Sequence, residues 1–380
     1  MSVYLDAQPL LGPRSGVSNY VRNLYKELVT LNLDIELFFN RIAKNIHVNE
    51  LDLQIDQRPK IINSRYPYKV IRRLLQPGFL YNYPFDWFNK SSASIFHGTN
   101  FTHIPINSKK TVITIHDLAY MIYPETTSEK IYKHHSIWVP YSARNASKII
   151  AVSQHTKKDI IELLGVPEEK IEVIYLSADH LYRPLNKNVV QVILNKYSLP
   201  DDYILFVGTL EPRKNLIGLL KAFHYLINNH KCDHKLVIVG AKGWKFSPIL
   251  DFIRQNNLET RVIFTGFIED DDLAALYNGA TLFVMPSIYE GFGIPILEAM
   301  NCGVPVIASD VSAIPEIVDK YGVLLPPNNY EQWATEIYRL INDTTKLNKY
   351  KELSLERATH FNWQKTALET KMVYDKIMNM

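Results

Sequence analysis

Leu282-Phe-Val-Met-Pro286-Ser-Ile-Tyr-Glu290-Gly-Phe-Gly293-Ile-Pro295-Ile-Leu-Glu298-Ala-Met300 reads as strand, glycine turn and helix in direct succession. An unbroken apolar run this short suits a strand buried on both faces, and Pro295 suits the first turn of a helix. Strand followed directly by helix is the repeating unit of a parallel sheet covered by helices. The pattern extends in both directions. Upstream lie apolar runs at Ile204 to Val207, Leu236 to Val239 and Val262 to Phe264, with a helix expected from about Leu216 to Asn228; downstream lies Val304 to Ala308. These elements define an α/β domain over 203–362.

The first half repeats the theme. Val3 to Leu5 is apolar, Gly12-Pro-Arg-Ser-Gly16 is turn chemistry, and after Ser18 the residues Val21, Leu24, Tyr25 and Leu28 recur at helical spacing. Further strands are expected at Ser94 to Phe96, Thr111 to Ile115 and Lys148 to Val152, giving a second α/β domain over 1–180. The stretch 181–202, with Pro184 and Pro200, reads as the linker. In the tail, 363–380, Ala367, Met372, Val373 and Ile377 have helical spacing. Two Rossmann-like parallel-sheet domains in tandem create an interdomain cleft, a favoured place for ligands.

Composition excludes several function classes. Of 380 residues 47% are hydrophobic and 21% charged, the usage of ordinary globular domains rather than of disordered chains or fibres. A net charge of +3 is far below the concentrated surplus expected of a nucleic-acid binder. Two cysteines, Cys232 and Cys302, provide neither a disulfide framework nor a multi-cysteine zinc site. No apolar stretch approaches the roughly 20 residues of a membrane span, and Asp6 interrupts the amino-terminal run before a secretory signal could form, so a cytoplasmic location is expected.

Chemistry concentrates at strand ends. Gly291 and Gly293 permit a tight turn with exposed amides, and the following helix offers its positive end to an anion such as a diphosphate. Glu298, read as lying in the first helical turn, can accept hydrogen bonds from vicinal hydroxyls, and Glu290 can serve another polyol in the same way. The alternative is a carboxylate that only complements the helix dipole. Gly208-Thr-Leu-Glu-Pro-Arg213-Lys214-Asn215 follows the domain's first strand; there Arg213 can fork onto phosphate oxygens and Lys214 can add a point charge. His116 and Asp117 close the strand Thr111 to Ile115, where a cleft-facing catalytic histidine and a structural one are both open, since neighbours on a strand face opposite ways. The loop ending at Gly16 can bring amides to a phosphate but lacks the G-x-G-x-x-G spacing of a dinucleotide fingerprint. Between 58 and 90, seven basic residues accompany one acidic residue and many aromatics, a pattern suited either to peripheral membrane contact or to a solvated helix followed by core aromatics.

Together, the Glu290 and Glu298 pair, Arg213-Lys214-Asn215, His116-Asp117, the 12–16 loop, Ala151-Val-Ser153 and Gly303-Val-Pro-Val-Ile-Ala-Ser309 resemble a retaining glycosyltransferase of family 4 (GT4) over nearly the whole chain. Asp6-Ala-Gln-Pro, His97-Gly-Thr-Asn100, His116-Asp-Leu and Gly208-Thr-Leu-Glu-Pro-Arg-Lys-Asn215 are similar to its bacterial mannosyltransferase-like group. The resemblance implies a GT-B fold, two Rossmann-like domains facing a cleft, with an acceptor-binding first domain, a sugar-nucleotide-binding second domain and a last helix returning to the first. It implies donor contacts at Gly16, Gly208, Arg213, Lys214, Phe267, Glu290, Gly291, Phe292, Gly293 and Glu298. Glu298 would hold the ribose, Glu290 the donor sugar, Arg213 and Lys214 the diphosphate, and the segment around Phe267 would lie near the base. His116, with Asp117, would stand by the transferred sugar.

The implied reaction moves a hexose, mannose from GDP-mannose by subgroup likeness, onto a glycan or lipid-linked oligosaccharide for surface polysaccharide assembly. No metal or other cofactor is implied, and membrane contact would be peripheral. Val311-Ser-Ala-Ile-Pro-Glu316 departs from the glycine-rich turn of many members, so no ligand contact is carried over to that loop. UDP- or dTDP-sugar donors, a non-hydrolysing sugar-nucleotide epimerase and an inactive sugar-nucleotide-binding protein are the alternatives; an NAD-dependent oxidoreductase is disfavoured by the missing fingerprint.

Overall fold

The computed structural model describes residues 1–12, 14–40, 51, 53, 59–64, 94–104, 110–230, 232–243 and 245–380. The chain divides into two compact units, Met1–Leu176 with Asn362–Met380, and Ser177–Phe361. Each is built on one parallel sheet.

In the first unit the strands are β1 (Ser2–Asp6), β2 (Asp34–Asn40), β3 (Lys60–Ser64), β4 (Ile95–Gly98), β5 (Lys110–Ile115), β6 (Lys148–Ala151) and β7 (Ile171–Val173), ordered β3-β2-β1-β4-β5-β6-β7. In the second they are β8 (Tyr203–Val207), β9 (Lys235–Val239), β10 (Val262–Gly266), β11 (Leu282–Met285), β12 (Val306–Ser309) and β13 (Val323–Leu325), ordered β10-β9-β8-β11-β12-β13. Every residue of β8 and β11 is buried, which is why the sequence shows them as continuous apolar runs rather than alternations. In both sheets the winding reverses beside the first strand, between β1 and β4 and between β8 and β11. Ligands of open parallel sheets bind outside the carboxyl ends of strands at such reversals.

The first helix, Gly16–Thr30, starts earlier than its apolar spacing suggests. Its cap is Ser15, whose Oγ accepts from the Ser18 amide while Ser18 Oγ accepts from the Ser15 amide, a reciprocal capping box. The expected linker 181–202 is not a bare connection either. It carries the helix Lys187–Lys196, capped by Asn186, which packs on the helix Asp270–Gly279 inside the second unit. Flanking prolines mark its ends and had concealed it.

The terminal helix, Trp363–Met378, belongs to the first unit and packs on Gly16–Thr30. Tyr374 Oη lies 2.6 Å from His97 Nδ1, and His97 Nε2 lies 2.8 Å from Thr114 Oγ1, which in turn lies 2.8 Å from Tyr20 Oη. His97 is fully buried, and burial holds its imidazole neutral by lowering its pKa to about 3. Tyr374→Phe leaves a buried ring nitrogen without its partner, at a cost of about 1–3 kcal/mol. The melting temperature is expected to fall by several degrees; an unchanged melting curve would show the contact to be energetically silent.

Candidate active site

Candidate residues lie at the reversal of each sheet, and each set is described within its own unit. In the second unit, the loop after β8 forms a single turn, Pro212–Lys214, ended by Asn215 in the left-handed conformation. Asn215 Nδ2 donates to the carbonyls of Pro286 and Pro327 at 3.1 and 2.8 Å, tying this loop to the one after β11. Ile288 N–H donates to Arg213 O at 2.9 Å and reinforces the junction. Gly240 allows the close approach beneath, because a Cβ there would stand 2.0 Å from Gly208 O.

That junction gathers four charges. Arg213 Nη1 donates to Glu290 Oε2 at 2.9 Å and to Tyr289 O at 2.7 Å, while its Nη2 donates to Glu211 Oε1 at 2.7 Å. Lys214 Nζ donates to Glu290 Oε1 at 2.7 Å. Glu211, Lys214 and Glu290 are buried. Burial alone would raise the Glu290 carboxyl, but the Arg213 and Lys214 cations outweigh it and bring its pKa down to about 2. A carboxylate oxygen can accept more than one hydrogen bond, so a hydroxyl can share Glu290 with these cations. The structure thus joins in one cluster two functions that the sequence suggested separately, a hydroxyl acceptor and a pair of phosphate cations. Glu211, quoted within the loop motif but given no role, completes its charge balance.

Gly293 has φ +104°, a conformation glycine tolerates, and caps the helix Ile294–Asn301 with Pro295 in its first turn. Ser312 Oγ accepts from the Glu290 amide at 2.8 Å, so the loop that departs from the glycine-rich pattern still orients the site. Glu298 is the fifth residue of its helix, not a first-turn residue, because the cap falls at Gly293. It is buried, and its Oε2 accepts from Tyr277 Oη at 2.8 Å. Burial pushes its pKa up to about 8; the Tyr277 hydrogen bond opposes the rise, and Asp270 and Asp179 add to it. Phe267, which the resemblance would place near the base, stands 52% exposed just past β10. Gly208 follows β8 directly.

In the first unit, His116 follows β5. Its Nε2 donates to Thr99 O at 2.9 Å, which fixes the proton on that nitrogen and leaves Nδ1 as the acceptor of the neutral ring. Burial lowers its pKa, with the Thr99 hydrogen bond and Asp117 partly opposing. Tyr20 and Phe101 meet its ring edge-on with centroids 5.1 and 5.5 Å away. Asp117 turns to the backbone, its Oδ1 accepting from Ala119 N–H at 3.0 Å. Gly16 is the first residue of the helix Gly16–Thr30. Thr99 stood within the His97-Gly-Thr-Asn100 motif without a role, and nothing in the sequence pointed to Tyr20 or Tyr277, which meet these residues only through the fold. Most of the basic and aromatic stretch 58–90 lies outside the described residues; Lys60, which is described, pairs with Asp34 at 2.6 Å. Among the described residues, no helix is long and apolar enough to cross a membrane.

Residues 14–180 match the family model described as Glycosyltransferase Family 4, and residues 194–357 match that described as Glycosyl transferases group 1. O-antigen chain mannosyltransferase B of Escherichia coli is 29% identical over 390 aligned residues, covering 98% of this chain and 99% of that protein. Among solved structures, sucrose-phosphate synthase from Thermosynechococcus elongatus has a TM-score of 0.76 at 21% identity, covering 100% of this chain and 99% of that one. HepE of Anabaena, solved with UDP and glucose, has a TM-score of 0.75 at 19% identity, covering 98% and 99%. At these identities the two structures establish a shared fold.

Proposed function

The chain belongs to glycosyltransferase family 4, and from that premise we propose that it transfers mannose from GDP-mannose, with retention of configuration, to a glycan or lipid-linked acceptor in surface polysaccharide assembly. The observation that carries the reading is the cluster of Glu290 with Arg213 and Lys214 at the reversal of the second sheet. Its cations suit a departing diphosphate, its carboxylate suits sugar hydroxyls, and both are held rigidly before substrate arrives. The E. coli mannosyltransferase aligned from end to end supports mannose as the sugar.

In this reading the bond between the anomeric carbon and the diphosphate oxygen breaks as the acceptor hydroxyl bonds to the same face of that carbon. The hydroxyl proton passes to the departing phosphate oxygen. Arg213 and Lys214 stabilise the charge on that oxygen, Glu290 orients the sugar, Glu298 holds the ribose, and neutral His116 accepts a sugar hydroxyl through Nδ1. No step draws on a divalent metal or another cofactor. A lipid-linked acceptor would bring the enzyme to the cytoplasmic face of a membrane, and the cations and aromatics of 58–90 suit such contact.

Thermal unfolding with GDP-, UDP- and dTDP-sugars, each in EDTA, tests the donor. At about 100 times its dissociation constant a ligand of the native state adds roughly 2.7 kcal/mol, a rise of several degrees. A selective rise with GDP-mannose is expected. A selective rise with another nucleotide sugar replaces the donor, and a rise that appears only when magnesium is restored overturns the metal-free reading.

A further inference from the structure

The turn over 290–293 has little rigidity of its own. Gly291 and Gly293 give up more conformational freedom on ordering than any other residue type would, and Gly293 stands at φ +104°. Such a turn presents a carboxylate and amides in fixed positions only if something outside it holds it. Contacts that do so converge from two directions on one residue, Arg357 of the helix Thr344–Ala358.

The first route runs through the short helix Ile314–Val318. Arg357 Nε donates to Ile317 O at 2.7 Å and its Nη2 donates to Glu316 O at 2.6 Å, at the end of that helix, where intrahelical partners run out. A planar guanidinium suits two adjacent carbonyls as one ammonium does not. Just before the same helix, Ser312 Oγ accepts from the Glu290 amide at 2.8 Å, and the Ala313 amide donates to Glu290 O at 3.3 Å. Glu290 is therefore gripped on both sides of its backbone by a segment that Arg357 anchors.

The second route runs through rings. The Arg357 guanidinium lies over Phe361, 5.0 Å from its centroid, and over Tyr321 at 5.4 Å, with Nη1 3.0 Å from His360 Nδ1. Phe361 in turn meets Phe292 edge-on, with centroids 6.1 Å apart and planes at 82°. Both phenylalanines are buried, and Phe361 O accepts from Ser177 Oγ at 3.1 Å. Phe292 is the side chain between the two glycines, so pinning it restrains the freest part of the turn.

We propose that Arg357 and Phe361 are positioning residues for glycosyl transfer, bracing the 290–293 turn at both ends so that its carboxylate and amides are in place before the sugar nucleotide arrives. The inference rests on the transferase reading and adds two residues that act through the turn rather than on the donor. Arg357 is half-buried, so Arg357→Ala leaves the sheet core untouched, and Phe361→Leu keeps an apolar group while removing the ring.

Hydrogen exchange without any ligand is expected to quicken about tenfold at the amides of 289–293 in both variants, the effect of one lost contact, with the strands as protected as in wild type. In transfer from GDP-mannose to octyl α-D-mannoside, at a temperature where all the proteins are folded, kcat/KM for the donor is expected to fall between about tenfold and a hundredfold. The acceptor KM should not move. Arg357→Lys keeps a cation near the rings but cannot span both carbonyls, and should recover only part of the loss. A lower melting temperature with unchanged exchange at the turn and unchanged donor kinetics would make both residues purely architectural and overturn the assignment. Equal rises in donor and acceptor KM overturn it as well, since they report a general loosening. Faster exchange at the turn in variants of a protein whose wild type neither binds nor turns over GDP-mannose or UDP-glucose would sink the transferase reading, and the positioning role with it, while the brace itself stands.

Discussion

Replacing Arg213 with alanine is expected to lower kcat at saturating donor by two to three orders of magnitude, the usual effect of removing one fixed donor aimed at developing charge. The geometry makes the loss larger than that of one cation. Arg213 holds the Tyr289 carbonyl, Glu290 and Glu211 at once, so its removal deprives both Glu211 and Glu290 of that partner. Breaking a buried pair by deleting one member commonly costs about 3–5 kcal/mol. Arg213→Lys is not expected to rescue activity, because one ammonium cannot reach three acceptors spread around a planar fork.

Glu290→Gln separates the two consequences. It retains the shape and both cations while removing the negative charge that balances them and setting an amide donor against one of them, so it should lower the melting temperature as well as kcat, with the leaving-group cations still in the chain. The measurement is single-turnover transfer alongside a melting curve for all three variants. A kcat for Arg213→Ala within tenfold of wild type would remove this residue from leaving-group stabilisation.

The legible part of this protein is the part written locally. β8 and β11 stand out because strands covered on both faces need apolar residues at every position, and the Glu290 to Glu298 turn stands out because its glycines, proline and carboxylates are contiguous. β2 begins with Asp34 and alternates Ile35 with Glu36 before its apolar end, and β7 and β13 are three residues each, too short for a periodic signal. The site was legible as a set of residue types but not as a set of pairs. Glu290 meets Arg213 across 77 positions of chain, and Tyr277 meets Glu298 from another helix. Only the order of strands in the second sheet brings those loops side by side. The helix within 181–202 was hidden for the opposite reason, since its boundary prolines are also what a linker would show.

Glu298→Gln is expected to move stability and donor binding in opposite directions. In the folded chain the Glu298 carboxyl titrates near 8 because it is buried, with Tyr277 as its hydrogen-bond donor and two aspartates nearby; unfolded, it titrates at its ordinary value near 4.5. Between those values the folded state holds a proton that the unfolded state has released, so this group's stabilisation is complete below the lower value. It then declines by about 1.4 kcal/mol per pH unit until the folded carboxyl has itself ionised. Glutamine keeps an oxygen for Tyr277 and never ionises. The variant should therefore melt several degrees above wild type at pH 8 to 9, with the gap closing toward pH 5. Ribose hydroxyls, however, donate more strongly to a carboxylate than to an amide. GDP-mannose should then bind the variant at least tenfold more weakly at pH 8, and its affinity for wild type should rise from pH 6 to pH 8 while that of the variant stays flat. Calorimetry and melting curves across this range decide the matter. Parallel melting curves for the two proteins would mean that Glu298 is an ordinary carboxylate, and equal affinity at pH 8 would detach it from the ribose.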